Sequence, residues 1–549
     1  MAIETRRREG HQADIRLVFA DRRWLQSPAG DRLLAVLEEH PMLEQARRRK
    51  STIHLRFSDR LLVDLERRLA DREPAGMGSE DILAGRHVTI GYVGPNANKA
   101  LHVGHLRNVL IGEALASAFA AAGATVRRHS LIGDIGRRMC EAMAGYLSFH
   151  EGRSPLDMKL AGDQFVELCS RDYARKRAGS PQSSREQNDP NAEERTRVGD
   201  LADALMTKWL AGAEAELELW RRMREWALRG HEDTLARLGV VMDHCDYESD
   251  AIPRALTLIE EGVEAGVLER QENGAVIFRT ERPDYPTIVL MREDGFPTEH
   301  ARLLGVYDRI LEELHAGEPY IEVAGFEWQP AILALCALHE RLRPGPLTEA
   351  HLRVYHASVT YKDGAKIGSS LGDVVWIDDF LDEVAAGPGV DALAGLAEGA
   401  VERQVLADIL VRGTFLCAPP SRPLAFSPAS LIRGRPSPGW TIAEAWCRVR
   451  RAGEADGAAG PVARTPVMQS QQYRRSLRRT VERRDVTSLT RYLLSVSETC
   501  LAAEEPGPAA APVLERALSS LGFLAGWSEA ALAAEREPEP ASAVQIKKV

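Results

Sequence analysis

The sequence predicts an α/β protein with helical additions, and three observations predict it. Residues 87–149 read as strand, glycine- and asparagine-punctuated turn, long helix, strand and helix: HVTIGYV, GPNANKALHVGHLRN, Leu106 to Ala122, ATVRRHSLIGD and IGRRMCEAMAGYL. That order is half of a Rossmann-like nucleotide-binding domain. Residues 256–390 return to alternating strands and helices, whereas 150–255 and 391–549 carry mainly helical periodicity. The expected architecture is a small α+β domain at 1–80, a Rossmann-like domain at 87–390 with a helical insertion at about 150–255, and a helical domain at 391–549.

Each element has a local cause. Thr52–Phe57 carries a strand pattern, and a helix is expected from Asp59 with Ser58 as its cap. Glu73–Gly85 is rich in Pro and Gly and reads as a linker. Alanine-rich spacing along Leu106–Ala122 suits close packing on a sheet, and Gly123 ends that helix. Arg175–Glu194, polar and broken by Pro181 and Pro190, reads as a loop, and Leu201–Gly230 as a long amphipathic run. GAVIFRT, PTIVLMR and PYIEVAG are strand-like. Thr298–Leu314 and Gln329–Arg341 are helical. The tail after Glu537 is expected to fray.

Composition excludes several classes. The 549 residues suggest three or four domains at about 150 each. Lys plus Arg is 70 and Asp plus Glu is 80, a net charge of −10. That balance excludes a histone-like polycation, although a local basic face can still meet nucleic acid. The seven cysteines form no CxxC pair, so neither a zinc knuckle nor a disulfide scaffold is expected, and a reducing cytoplasm is the expected location. The N-terminus carries no signal-peptide core, and no run approaches a membrane span.

Two motifs carry chemistry. His102-Val103-Gly104-His105 sits at a strand-to-helix turn. With 15 His and 44 Gly in the chain, an HxGH match is expected roughly 0.03 times by chance. A helix N-terminus there offers free N–H groups and a positive dipole end to a triphosphate. The two histidines can donate to phosphate oxygens, and Gly104 leaves room for the ribose or adenine. The pair lacks a third ligand at a recognisable spacing, so no metal site is expected. The second motif, Gly364-Ala365-Lys366-Ile367-Gly368-Ser369-Ser370, is a loop able to close on a phosphate. Lys366 would face the leaving pyrophosphate, with Ser369 and Ser370 adding hydroxyls.

Together, VGPNANKALHVGHLRN and AKIGSSLGDVVWIDDFLDE resemble class I aminoacyl-tRNA synthetases, and among them arginyl-tRNA synthetases. STIHLRFSDRLLVDLERRL, REWALRGHEDTLARLGVVMD, DGFPTEHARLLG and EVAGFEWQPAILALCALHERL resemble further blocks of that family. The resemblance implies a class I synthetase catalytic domain, a helical anticodon-binding-like domain, ATP and Mg2+ as cofactors, and a monomer. It implies attack of an amino acid carboxylate on the ATP α-phosphate, loss of pyrophosphate, and transfer of the acyl group, normally to tRNA. His102 and His105 match the signature histidines, Asn96 the upstream asparagine, and Lys366 the first lysine of the mobile loop. Ile367, Ser369 and Ser370 stand in that loop, whose second lysine is absent. Gly104 and Gly325 join Asn96 as nucleotide-binding positions.

The pocket for the amino acid departs from the family. Its acid is matched by Gly91, within Gly91-Tyr92-Val93-Gly94-Pro95-Asn96. A tyrosine and an aspartate four apart are matched by Glu299 and Leu303. A buried guanidinium without carboxylates is costly. Glu299, Glu327 and Asp294 are the candidate substitutes, and Tyr92, Gly94 and Asn108 complete the expected substrate lining. The C-terminal region looks shortened in its middle. It keeps a basic cluster at Arg474, Arg475, Arg478, Arg479, Arg483 and Arg484, while Trp440 and Trp446 read as core. The expected function is ATP-dependent amino acid activation with altered amino acid and acceptor specificity, in a biosynthetic pathway. The acceptor would be a small amine or carrier, and tRNA is the doubtful partner. A conventional arginine–tRNA ligase and a non-catalytic binding protein are the alternatives.

Overall fold

The computed structural model describes residues 2–4, 15–19, 21–58, 60–61, 81–178, 192–280, 285–344, 350–361, 375–397, 401–434, 437–454, 464–503 and 510–524. Five parallel strands form its centre: β1 (His87–Gly91), β2 (Thr125–Ile132), β3 (His244–Tyr247), β4 (Tyr320–Gly325) and β5 (His351–His356). Their order is β5-β4-β1-β2-β3. The chain leaves β1 toward β2 on one side and returns to β4 on the other. The gap between β1 and β4, at their carboxyl ends, is therefore the switch point where such sheets bind ligands.

Burial on both faces explains the strand composition. Val88 and Ile90 of β1, with Ile321 and Val323 of β4, pack on helix α1 (Val103–Ala121). That cluster runs without a break into the C-terminal helices as far as Phe523. The opposite face carries Tyr320. It packs under α2 (Glu248–Glu264), α3 (Glu299–Glu313) and α4 (Gln329–Leu342). Helix α1 starts at Val103, three residues before the expected Leu106, because His102 caps it. It ends before Gly123, which takes φ 91°. Arg107, fully buried, donates to the carbonyls of Ala357, Pro419 and Arg422 and so ties α1 to distant loops.

Several expectations need correction. GAVIFRT and PTIVLMR hold strands as read, Val276–Phe278 and Ile288–Met291, and these lie outside the parallel sheet. They pair antiparallel in a separate three-stranded sheet. Strand β3, HCDY, is only four residues long and lay inside the region read as helical. Its Asp246 pairs across the sheet with His129. The loop read from Arg175 begins later, because helix Gly162–Ala178 continues through Arg175, Lys176 and Arg177. Cations in a last turn suit the helix dipole. The run Leu201–Gly230 is divided between helices Ala192–Leu210 and Glu214–Arg237, broken at Gly212 with φ 74°. At the N-terminal end, Thr52–Phe57 is a strand as read, in a four-stranded antiparallel sheet. The Ser58 hydroxyl accepts from Leu61 N, while most of the helix expected after Asp59 lies outside the described residues. Trp446 is fully buried and Trp440 half-buried.

Candidate active site

The turn after β1 is built by unusual backbone. Val93 takes φ 71° and Gly94 φ 54°. Positive φ is strained for a β-branched residue, and such strain concentrates at functional sites. The turn is held from both sides by Asn108, which accepts from Val93 N at 2.7 Å and donates to Val323 O at 2.8 Å. Asn96 then bridges to Gly133 at the end of β2, where a Cβ would collide with the Asn96 carboxamide.

His102 and His105 close the N-terminus of α1 reciprocally. Gly104 N donates to His102 Nδ1 at 3.0 Å, and His102 N donates to His105 Nδ1 at 3.2 Å. The rings lie 3.9 Å apart, centroid to centroid. Because each Nδ1 accepts, a neutral ring must carry its proton on Nε2. Burial first, and Lys99 second, hold His102 down to about 4. Burial also lowers His105 well below its ordinary value, helped by His102, His231 and Lys99. Both imidazoles are therefore neutral near pH 7, with two Nε2–H donors beside a positive helix end.

The helical insertion braces this turn. Glu167 accepts from Ala100 N at 3.1 Å and from the Trp376 indole at 3.1 Å, and Asp163 accepts from Leu101 N at 3.4 Å. His231 sits on the Lys99 carbonyl at 2.7 Å. Burial drives its pKa to about 4 and that of Asp163 up to about 7. Sequence reasoning missed these three because they lie far along the chain from the motif and carry no local signature. On the other side, Val103 N donates to Val375 O and Ile377 N to Leu101 O. The chain leaving the glycine–serine loop is thus stitched to the HxGH turn. Lys366, Ile367, Ser369 and Ser370 themselves lie outside the described residues.

Beyond β1 the sheet is covered by α3. Arg302 of α3 and Glu248 of α2 pair at 2.7 Å, both buried. Burial lifts Glu248 to about 7, and nearby Glu299 raises it further, against the pull of Arg302. Leu303, Gly91, Tyr320 and His129 are buried on the same side of the sheet.

The expected lining is only partly assembled here. Gly91 lies on the α3 side of the sheet, and a Cβ there would collide with the Tyr320 hydroxyl. Leu303 is buried in the apolar cluster beneath α3, and Glu299 is exposed at the helix start. Tyr92 points the other way: its hydroxyl donates to Glu113 at 2.6 Å and its ring covers Gly112. Strand alternation sends adjacent residues to opposite faces, so Gly91 and Tyr92 cannot both line one pocket. Asn108 braces the turn. Asp294 and Glu327 are exposed, and Glu327 folds back over Gly325 at the end of β4. Phe326 and Trp328, exposed on either side of Glu327, stand at the same sheet end. Among the described residues, no group of three His, Cys, Asp or Glu could hold a metal ion.

The family model for the catalytic domain of class I (R) tRNA synthetases matches residues 77–388, more than half of the chain. The chain belongs to this family. Curated arginine–tRNA ligases are similar to it. That of Treponema denticola is 30% identical over 225 residues, covering 41% of this chain and 36% of the relative. That of Amoebophilus asiaticus is 28% identical over 306 residues, covering 54% and 50%. The matched part thus spans from about a third to half of those relatives. Arginyl-tRNA synthetase from Thermus thermophilus shares the fold with a TM-score of 0.62 at 18% identity, over 95% of this chain and 94% of that one. The class I synthetase fold supports ATP-using, adenylate-forming ligase chemistry, and its family core here is the parallel sheet with its helical insertion. No helix among the described residues is long and apolar enough to cross a membrane.

Proposed function

We propose that the protein activates an amino acid with ATP and passes the acyl group to the 3′-terminal ribose of a tRNA. Arginine and its tRNA are the substrates that the comparisons favour. The observation that carries the first step is the His102–His105 pair: neutral rings whose accepting Nδ1 atoms leave two Nε2–H donors at a helix N-terminus. An amino acid carboxylate oxygen attacks the α-phosphorus, a P–O bond forms, and the P–O bond to pyrophosphate breaks. The two imidazoles and the free amides of α1 receive the charge that builds on the phosphate oxygens. Lys366 is assigned to the departing pyrophosphate. The described residues supply no metal cage, so magnesium is assigned to the nucleotide's own phosphates and no step is given to a protein-held ion.

One observation favours a second reading. Gly91 and Leu303 carry no carboxylate where the family has acids, which supports a different amino acid, with a small amine or carrier as acceptor in a biosynthetic reaction. Pyrophosphate exchange over the common amino acids, with and without tRNA, separates the readings. Exchange with arginine followed by tRNA acylation supports the first, and exchange with another amino acid the second. Absence of exchange with every amino acid overturns activation and leaves a non-catalytic binding protein.

A further inference from the structure

Strand β5 lies at one edge of the parallel sheet. Strand alternation puts His351, Arg353 and Tyr355 on one of its faces, and α4 covers that face. Cys336 of α4 lies against all three. His351 Nδ1 is 3.5 Å from its Sγ, and Arg353 donates to Sγ from Nη1 at 3.0 Å. Tyr355 packs against the cluster formed by Cys336, Ala324 and Ile332. The far nitrogen of His351 meets Glu322 Oε2 of β4 at 2.9 Å, and Tyr307 of α3 donates to Oε1 at 2.7 Å.

Sulfur, imidazole and carboxylate thus stand in a row, the order that activates a cysteine nucleophile. Burial pulls His351 down, but its contacts with Cys336 and Glu322 outweigh that and lift it to about 9. At pH 7 the ring is charged, and both of its nitrogens donate. Cys336 Sγ therefore accepts from two cations, imidazolium and guanidinium, and cationic donors of this kind stabilise a thiolate. The Tyr355 hydroxyl is buried without a partner among the described residues, so a further donor stands unused in the same cluster.

The other six cysteines are held as thiols. Burial pushes Cys140, Cys169, Cys417 and Cys447 up to about 12, and Cys245 and Cys500 up to about 11. Cys245 and Cys417 are more open to solvent than Cys336, which keeps 8% of its surface exposed. Exposure and activation therefore point to different residues.

We propose that Cys336 is a peroxide-reactive modification site, its sulfur held as a thiolate by His351 and Arg353. The thiolate attacks one oxygen of a hydroperoxide. An S–O bond forms, the O–O bond breaks, and the sulfur is oxidised by two electrons to a sulfenic acid. The departing oxygen takes the His351 proton and leaves as water, or as an alcohol from an organic hydroperoxide. The site shares no residue with the HxGH turn and does not depend on the amino-acid-activating reading.

The test exposes the full chain to dilute hydrogen peroxide for timed intervals. Catalase stops the reaction, and the protein is then unfolded in dimedone and iodoacetamide, so that trapping does not depend on access in the fold. Peptide mass spectrometry follows each of the seven cysteines. Cys336 should be oxidised at least about tenfold faster than Cys245 and Cys417, because reactivity follows thiolate character. Dithiothreitol before unfolding should restore the thiol, as expected of a sulfenic acid. His351→Asn and Arg353→Met should each slow Cys336 by about tenfold or more while leaving the other six unchanged. If His351→Asn fails to fold, as judged by its melting curve, Arg353→Met at its half-buried position decides. Oxidation that follows exposure, with Cys245 and Cys417 first, overturns the proposal. So does an unchanged Cys336 rate in a folded variant, or the absence of oxidation at Cys336.

Discussion

At the scale of single residues, the chemistry rests on protons kept off two imidazoles. Burial holds His102 to about 4, and His231 behind it to about 4 as well. The unfolded chain takes up these protons near 6.5, the ordinary histidine value. Between those values the unfolded state binds more protons than the folded one. Stability contributed by keeping these rings neutral is thus fully present above about pH 6.5 and falls as pH drops toward 4. The adenylation rate should hold from pH 8 to about 5 and decline toward 4 as His102 becomes charged and its Nδ1 ceases to accept from Gly104. A pH profile of single-turnover pyrophosphate release checks this, and a decline centred near 6.5 would contradict it. His102→Ala or His105→Ala should slow the same step by about 10²–10³ at pH 7.5, the usual cost of one transition-state donor. The histidine pair was legible because its spacing is rare and its placement at a helix start has a physical meaning. His231, Asp163 and Glu167 were not, because a tertiary contact between helices and a distant turn leaves no trace in local spacing.

At the scale of elements, the strand pair β1–β4 shows how a sequence gap is filled in space. The absence of an acid at position 91 was legible, but the tyrosine that closes over it was not. Tyr320 is 229 residues away and reads as an ordinary strand aromatic. A carboxylate installed as Gly91→Glu has no room, since even its Cβ would strike the Tyr320 hydroxyl. Gly91→Ala should destabilise the protein by about 1–3 kcal/mol through overpacking. Tyr320→Phe removes the nearest clashing atom, so the double variant should be more stable than the two single effects add up to. Denaturant unfolding of the four proteins checks the coupling, and strict additivity would mean that the ring moves aside freely. The same logic explains why β3 was not read as a strand. Four residues in β3 are too few to establish a period, yet Asp246 pairs with His129 at 2.9 Å and also with Arg309 of α3, which fixes the sheet edge. Val276–Phe278 and Ile288–Met291 announce strands correctly, but pairing partners are decided by topology.

At the scale of the whole molecule, the catalytic sheet and the C-terminal helices share one apolar cluster, from Val88 to Phe523. Helix Arg464–Arg483 turns Tyr473, Leu477 and Val481 into that cluster, so its arginines fall on the outer side. Arg474, Arg475, Arg478, Arg479 and Arg483 are exposed, and Arg484 follows at φ 53°. With a net charge of −10, the protein as a whole repels a polyanion, and any tRNA contact depends on such a local stripe. The sequence showed the arginines but could not say whether they lay on one face, and the burial pattern of the helix now places them there. Arg478→Glu with Arg479→Glu should weaken tRNA binding by at least about tenfold near 0.05 M salt. The loss should narrow as salt rises toward 0.2 M, because the variant neutralises fewer phosphates and so has a shallower salt slope. Filter binding of total tRNA across that salt range measures both quantities, and amino-acid-dependent exchange without tRNA reports on the catalytic sheet in the same preparations. An unchanged affinity and slope would remove this helix from the tRNA interface. If wild type also failed to acylate any isoacceptor, the acceptor would then be sought among small amines and carriers that need no basic face.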